Sequence, residues 1–455
     1  MPRLSRGRHR ADSQGRRWYV WLALVSFVGL CIRVVYVLVS KRQAVPGGDA
    51  FYFHLQANLL VNGKGWFIDP WAYIHHHQVV ESAYHPPLWS LVLAAPSAIG
   101  AKSYLSQLLW ACVVGTAAVF VTGLAGREVG GPRAGLIAAG IAAVYPNYWL
   151  NDGSGLAETL VLFLIAAVVL VSYKLWRRPS LSNVAILGAL CGLAALTRSE
   201  LSLLVVLVLI PVCLVLRSLS AGRRIAIASV GASVALLVVA PWIGFNLSRF
   251  NHVEIISTEF GSGLASANCN QTYRGPLTGY WSFGCQVHRN CAVLPIQKDE
   301  SAWDARCRRI GLSYIERHQT RLPVVMTARI GREFGVFDPI QQLRLDGGHP
   351  ALSSFETRPF VWAAAGLVMY YLLLVASVFG ALTLRKRRLT LVPLVGILAG
   401  VVVAAVLIYG TTRFRSPFEV VLAVLAAPAI DRAVRRFDKR RAQRLHHVVM
   451  NEQTL

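Results

Sequence analysis

Apolar runs close to the length of a bilayer-spanning helix recur along most of the chain, and few sequence features restrict a fold so tightly. They fall at about 18–40, 104–125, 133–149, 158–173, 183–197, 201–216, 225–244, 360–384, 389–410 and 417–430, against the roughly 20 residues a helix needs to cross hydrocarbon. With 55% hydrophobic and 15% charged residues, the chain is too apolar for an ordinary soluble enzyme. The expected fold is an all-α polytopic membrane protein of about ten transmembrane helices.

The formal net charge of +24 raises the question of nucleic acid, but the basic residues are dispersed among the apolar runs rather than gathered on one folded face. Arg3, Arg6, Arg8, Arg10, Arg16 and Arg17 precede the first run. Further clusters lie at Arg127/Arg133, Lys174/Arg177/Arg178, Arg217/Arg223/Arg224, Arg385-Lys386-Arg387-Arg388 and Arg432–Arg444. Ten spans with a cytoplasmic amino terminus put all of these on the cytoplasmic side, as the positive-inside bias requires. Membrane lipids are therefore expected partners and nucleic acid is not. Counting the short apolar piece Pro86–Gly100, interrupted by Pro96, as an eleventh span would invert the downstream clusters. It reads instead as an interfacial or re-entrant part of an external loop.

The organisation that follows is a basic cytoplasmic tail (1–17), a membrane core (18–244) containing an external loop (41–102), a long external loop (245–359), C-terminal spans (360–431) and a second cytoplasmic tail (432–455). The first loop alternates Phe51, Tyr52, Phe53, Leu55 and Leu59 with polar residues and carries Trp66, Trp71 and Trp89, a composition suited to helices lying at the headgroup level. The long loop holds Cys269, Cys285, Cys291 and Cys307. Two disulfides in an oxidising compartment are expected, with the pairing open. Free thiols, or a metal shared with His288 and His318, are the alternatives. Cys31, Cys112, Cys191 and Cys213 fall within spans, as small apolar fillers.

On this topology the polar outliers gather on one face. Asp49, Glu81 and His85 lie in the first loop, Asp152 and Glu158 between the third and fourth spans, Arg198 in the connection Thr197-Arg198-Ser199-Glu200, and Arg413 and Arg415 in Thr411-Thr412-Arg413-Phe414-Arg415. Carboxylates beside arginines suit an anionic phosphate-bearing ligand with a general base at hand. Each residue also has a structural alternative: Asp49 as cap of the helix beginning at Ala50, Glu158 as cap of its span, and the arginines as interfacial anchors. The residues by themselves specify no cofactor. A divalent cation, Mg or Mn, on Asp152 and Glu158 with backbone oxygen is an open option.

Asp49 after the first span, His85-Pro86-Pro87-Leu88 late in the first loop, the run Asn151-Asp152-Gly153-Ser154-Gly155-Leu156-Ala157-Glu158, the stretch Gly192–Arg198 and the late Arg413-Phe414-Arg415 together resemble the C-type membrane glycosyltransferases. Within that group the chain is most similar to protein O-mannosyltransferases and the bacterial aminoarabinose and arabinosyl transferases. The resemblance covers roughly 18–250 and 360–430. It implies a hexosyl- or pentosyltransferase that moves a sugar from a polyprenyl-phosphate donor to a glycan, lipid or protein hydroxyl on the extracytoplasmic face. Asp49 then matches the catalytic base, with His85 and Glu81 shaping the acceptor side. Asp152 and Glu158 are left for acceptor hydroxyls, and Arg198, Arg413 and Arg415 for the carrier phosphate. The chain departs from the mannosyltransferases in having Asp49-Ala50 where they carry an acidic pair.

Composition rich in Arg, Ala and Val and poor in Lys is compatible with a bacterium of high GC content, which would set the protein in a bacterial plasma membrane with both termini cytoplasmic. Two rival functions remain: a transporter or flippase for polyprenyl lipids or glycolipids, which would carry broken or charged sites near mid-membrane, and a non-catalytic scaffold, which would tolerate loss of Asp49.

Overall fold

The computed structural model describes residues 3–287, 291, 299–347 and 358–452; His288 lies outside the described residues. Among the described residues the secondary structure is helical, apart from one isolated bridge, and the longest helices coincide with the apolar runs. Gly15–Ser40, Tyr104–Gly130, Glu158–Arg177, Ala221–Leu247 and Phe360–Lys386 are long and apolar enough to cross a bilayer. The other runs form shorter apolar helices at Pro132–Val144, Leu181–Ala195, Ser199–Leu214 and Val392–Leu407, and the last opens the helix Ser416–Glu452.

Two runs differ from the uninterrupted helices expected of them, and proline explains both. The run 133–149 ends as a helix at Val144 and restarts at Pro146–Trp149, because Pro146 has no N–H to continue the ladder and disfavours helical backbone at Tyr145. The run 201–216 passes through a 3-10 turn at Ser199–Ser202 and a π turn at Val205–Leu209 before Ile210–Leu214. Pro211 cannot donate to the Leu207 carbonyl, and the chain widens just ahead of it.

Glu158–Arg177 is the hub of the bundle, with 78% of its apolar window buried, against 28% for Ala221–Leu247 and 33% for Phe360–Lys386. The latter two turn broad apolar surfaces outward, as helices in lipid do. Helix Leu88–Ala98 is too short to span and packs on Asp49–Val61 and Tyr104–Gly130. Its Trp89 is fully buried and donates to the Gly155 carbonyl at 3.0 Å, which ties the first loop to the start of the central helix.

The long loop is a folded cap. Helices Glu259–Ala267 and Glu300–Arg317 pack on each other, and disulfides join Cys269 to Cys285 and Cys291 to Cys307 with Cα separations of 5.7 and 5.3 Å. Helix Leu322–Glu333 carries the cap onto the membrane core: buried Arg329 donates to the Val406 carbonyl at 2.8 Å, at the end of Val392–Leu407.

Candidate functional site

The site is built where the first loop, two span ends and the cap converge on Asp49. Gly48 has φ 55° and ψ −130°, a conformation closed to residues with a Cβ, and from it the chain enters the helix Asp49–Val61. Asp49 is consequently the first helical residue and not the cap. No side chain caps this helix, so the Asp49 carboxylate is free for tertiary partners while the helix N-terminus favours its charge.

Those partners come from distant segments. Asp49 Oδ2 accepts from Arg413 Nη1 at 2.6 Å, and Oδ1 lies 3.4 Å from His85 Nε2. His85 is buried, stacked on Phe53 at 4.7 Å and edge-on to Tyr52 at 5.0 Å. Its Nδ1 lies 3.0 Å from Glu259 Oε2 in the cap. Burial alone would lower the His85 pKa, but Glu259 and Asp49 on its two sides overcome this and raise it to about 9. Burial likewise works to raise Asp49, and Arg413 and His85 outweigh it, holding the carboxyl well below the usual range. Both groups are charged at neutral pH.

A row of alternating charge continues inward. Arg413 Nε donates to Glu158 Oε1 at 2.5 Å; Arg198 reaches the same oxygen and also pairs with Glu200. The Arg198 guanidinium lies 4.3 Å from the ring centroid of Phe414. The segment bearing Arg413 is held by the cap: Gly410 N–H donates to Gly279 O at 3.0 Å, Thr411 N–H to Glu333 Oε2 at 3.2 Å and Thr412 Oγ1 to Asp346 Oδ2 at 2.5 Å. A Cβ at Gly410 would collide with the Arg329 carbonyl, so only glycine allows this approach. Next to the row is a narrow cleft of about 20 Å³, with apolar walls from Val161, Leu201, Leu204, Ile397 and Val401 and a polar end at Glu158, Arg198, Glu200 and Arg413.

Asp49, His85, Glu158, Arg198 and Arg413 are therefore brought together, and three other candidates are not. Arg415 is 1% exposed, bonded to Glu419 at 2.7 Å and to the Glu333 carbonyl at 3.1 Å, and stacked 3.7 Å from the Tyr370 ring centroid. These partners hold it beneath the site, outside the lining of the cleft that Arg413 borders. Asp152 is sealed against Arg33 at 2.8 Å and accepts from Thr159 at 2.8 Å, apart from the residues around Asp49. Glu81 is exposed in an isolated bridge with Ile68 and does not join the acceptor side. The proposed cation on Asp152 and Glu158 does not fit either: each carboxylate faces guanidinium groups.

Sequence reasoning missed the cap carboxylates. Besides Glu259, half-buried Glu300 accepts from Ser82 Oγ at 3.0 Å and from Ala83 N–H at 2.6 Å, fixing the peptide that leads to His85; desolvation raises its pKa to about 7. Glu333 and Asp346 grip the Arg413 segment. No local motif marks any of them.

Residues 84–245 match the family model described as dolichyl-phosphate-mannose-protein mannosyltransferase, a stretch that includes His85, Glu158 and Arg198 and leaves out Asp49 and Arg413. A search of curated proteins finds no match. Among solved structures, the chain is similar to the Archaeoglobus fulgidus oligosaccharyltransferase tethered with an acceptor peptide, at 17% identity and TM-score 0.55, over 94% of this chain and 50% of that one. The same archaeal enzyme, AglB, in complex with an inhibitory peptide and a dolichol-phosphate gives 17% identity and TM-score 0.55, over 94% and 52%. ArnT from Cupriavidus metallidurans bound to undecaprenyl phosphate aligns at 15% identity and TM-score 0.42, over 91% and 78%. The chain spans about half the length of the archaeal structures it matches. The protein is an all-helical, polytopic membrane protein with the fold of the C-type glycosyltransferases.

Proposed function

We propose that this protein is a membrane glycosyltransferase that moves a sugar from a polyprenyl-phosphate donor to an acceptor hydroxyl on the extracytoplasmic face, with Asp49 as general base. The observation that carries the reading is the cleft with apolar walls that ends on Arg198 and Arg413, with Asp49 on the far side of Arg413. An isoprenoid chain suits the apolar walls, and its phosphate suits the guanidinium end, since arginine binds phosphate oxygens in a two-pronged geometry. The sugar carbon bonded to that phosphate would then lie toward Asp49, whose carboxylate keeps 26% of its surface exposed.

The resting ion pairs give the reaction an order. Held by Arg413, Asp49 is a weak base. A donor phosphate competes for Arg413, draws the guanidinium from Asp49 and returns basicity to the carboxylate as the donor arrives. The acceptor oxygen attacks the sugar carbon while Asp49 takes its proton, and the carrier leaves as a phosphate anion stabilised by Arg198 and Arg413. His85, charged between Asp49 and Glu259, keeps Asp49 oriented. The family match and the shared fold support this class of donor, and the dispersed basic clusters support a bacterial plasma-membrane orientation with cytoplasmic termini. The acceptor class is a glycan, lipid or protein hydroxyl.

Carrier binding tests the reading. Arg198→Gln and Arg413→Gln should each weaken polyprenyl-phosphate binding by roughly 10- to 100-fold, the cost of one charge-assisted contact, measured with purified protein in detergent. Unchanged carrier affinity in both variants would contradict it.

A further inference from the structure

The end of the bundle away from the site holds a second cleft. Helix Phe360–Lys386 stops where helix Ser416–Glu452 emerges, about 22 Å of helix beyond Ser416, and Thr383, Lys386, Arg387, Asp431, Arg432 and Arg435 line a space of about 720 Å³ between them, solvent included. We infer that this cleft binds the headgroup of an anionic phospholipid.

Charge is the first support. Four cationic side chains face one carboxylate, and Asp431 is already engaged by Arg435 through contacts of 3.0 Å. Among the described residues no ion pair engages Lys386, Arg387 or Arg432, so three cations converge on the cleft without an internal counter-charge. Topological bias accounts for basic residues on this side of the membrane, but not for two helices bringing them to one concave site.

The second support is independent of charge. Leu372, Val375, Phe379 and Leu382 are all more than half exposed, and their spacing of three and four residues sets them on one face of the helix that runs down to Lys386. An apolar strip that ends at a cationic cleft matches a molecule with acyl chains and a phosphate at the membrane surface, where basic residues meet lipid phosphates. It separates a lipid from a free phosphate, which has no use for the strip. The inference does not rest on the transferase reading.

The test uses the full chain in detergent micelles, with phosphatidylglycerol, phosphatidylcholine or inorganic phosphate added and bound molecules counted by native mass spectrometry. Wild type should bind phosphatidylglycerol on the order of 100-fold more tightly than the triple variant Lys386→Gln/Arg387→Gln/Arg432→Gln and show no such difference for phosphatidylcholine. The variant Lys439→Gln/Arg440→Gln/Arg441→Gln removes the same charge from the exposed helix beyond the cleft and should bind as wild type does. Equal losses in both variants would reduce the effect to diffuse surface attraction and overturn the site. Inorganic phosphate that binds as tightly as phosphatidylglycerol and displaces it would overturn the lipid assignment. Asp431→Asn keeps the test open should the triple variant misfold: it should tighten phosphatidylglycerol binding about fivefold, and unchanged affinity would again count against the cleft.

Discussion

Two arginine–aspartate pairs in this protein share their chemistry and differ in everything around them. Arg33 and Asp152 meet at 2.8 Å with neither side chain exposed, while Arg413 and Asp49 meet at 2.6 Å with 12% and 26% of their side chains exposed. Arg33 also donates to the carbonyls of Gly29 and Ala142, at 3.0 and 3.2 Å. Those partners tie the first span to the Pro132–Val144 helix. Arg413 instead joins Asp49 to Glu158 and itself lines the cleft, as Glu158 does. A sealed pair fixes the bundle; an exchangeable one can pass its cation to a ligand. The contrast recurs within the short run Arg413-Phe414-Arg415, whose first arginine faces the cleft and whose second is locked on Glu419 and Tyr370.

The comparison can be broken most severely at the sealed pair. Arg33→Met should cost about 3–5 kcal/mol of stability by leaving Asp152 buried and unpaired, read as a lower midpoint of thermal unfolding, and Arg415→Met should act in the same sense through Glu419. Arg413→Gln should lower that midpoint less, because Arg198 still pairs with Glu158 and Asp49 keeps His85 and part of its solvent exposure. If Arg413→Gln unfolds the protein as badly as Arg33→Met, the two pairs do not differ in kind.

The cap gives the next largest effect. Cys291→Ser/Cys307→Ser should cost about 2–5 kcal/mol, seen as earlier proteolysis within the long loop while the membrane core survives. Loss of protection throughout the chain would mean that cap and core unfold as one.

His85 supplies a smaller, pH-dependent effect. Its pKa is raised to about 9 in the folded protein from an ordinary value near 6.5. The bridge it forms between Asp49 and Glu259 therefore contributes fully below pH ~6.5 and is lost as pH rises through about 9. Wild type should lose on the order of 2 kcal/mol across that interval that His85→Gln does not lose, measured by thermal unfolding at successive pH values. Parallel curves for the two proteins would deny His85 its charge.

Much of this arrangement was legible in the sequence and part was not. The apolar runs announced the helices because a bilayer demands long apolar segments, and the shortness of Pro86–Gly100 kept it from being read as a span. Asp49, His85, Glu158, Arg198 and Arg413 could be nominated because each sits in an external loop or at the end of a span on one predicted face. Which of them meet was illegible: Asp49 and Arg413 are separated by 364 positions, and no periodicity relates them. The separate setting of Arg415 was illegible because sequence proximity to Arg413 says nothing of direction when the chain turns between them. The pairing of Asp152 was illegible because its partner, Arg33, lies in the first span, with the first loop and two further apolar runs between them. Glu259, Glu300, Glu333 and Asp346 were invisible since an acidic residue in a long loop looks solvated until the cap folds over the site.

The central claim is that Asp49 is the base, and the measurement that tests it most directly is single-turnover sugar transfer by Asp49→Asn beside wild type, across a panel of radiolabelled polyprenyl-phosphate sugars, with carrier binding measured on the same preparations. Turnover lower by roughly 10²- to 10⁴-fold with carrier affinity retained is the predicted result. Equal turnover in the two proteins, or carrier binding without turnover for any donor in wild type, would contradict it.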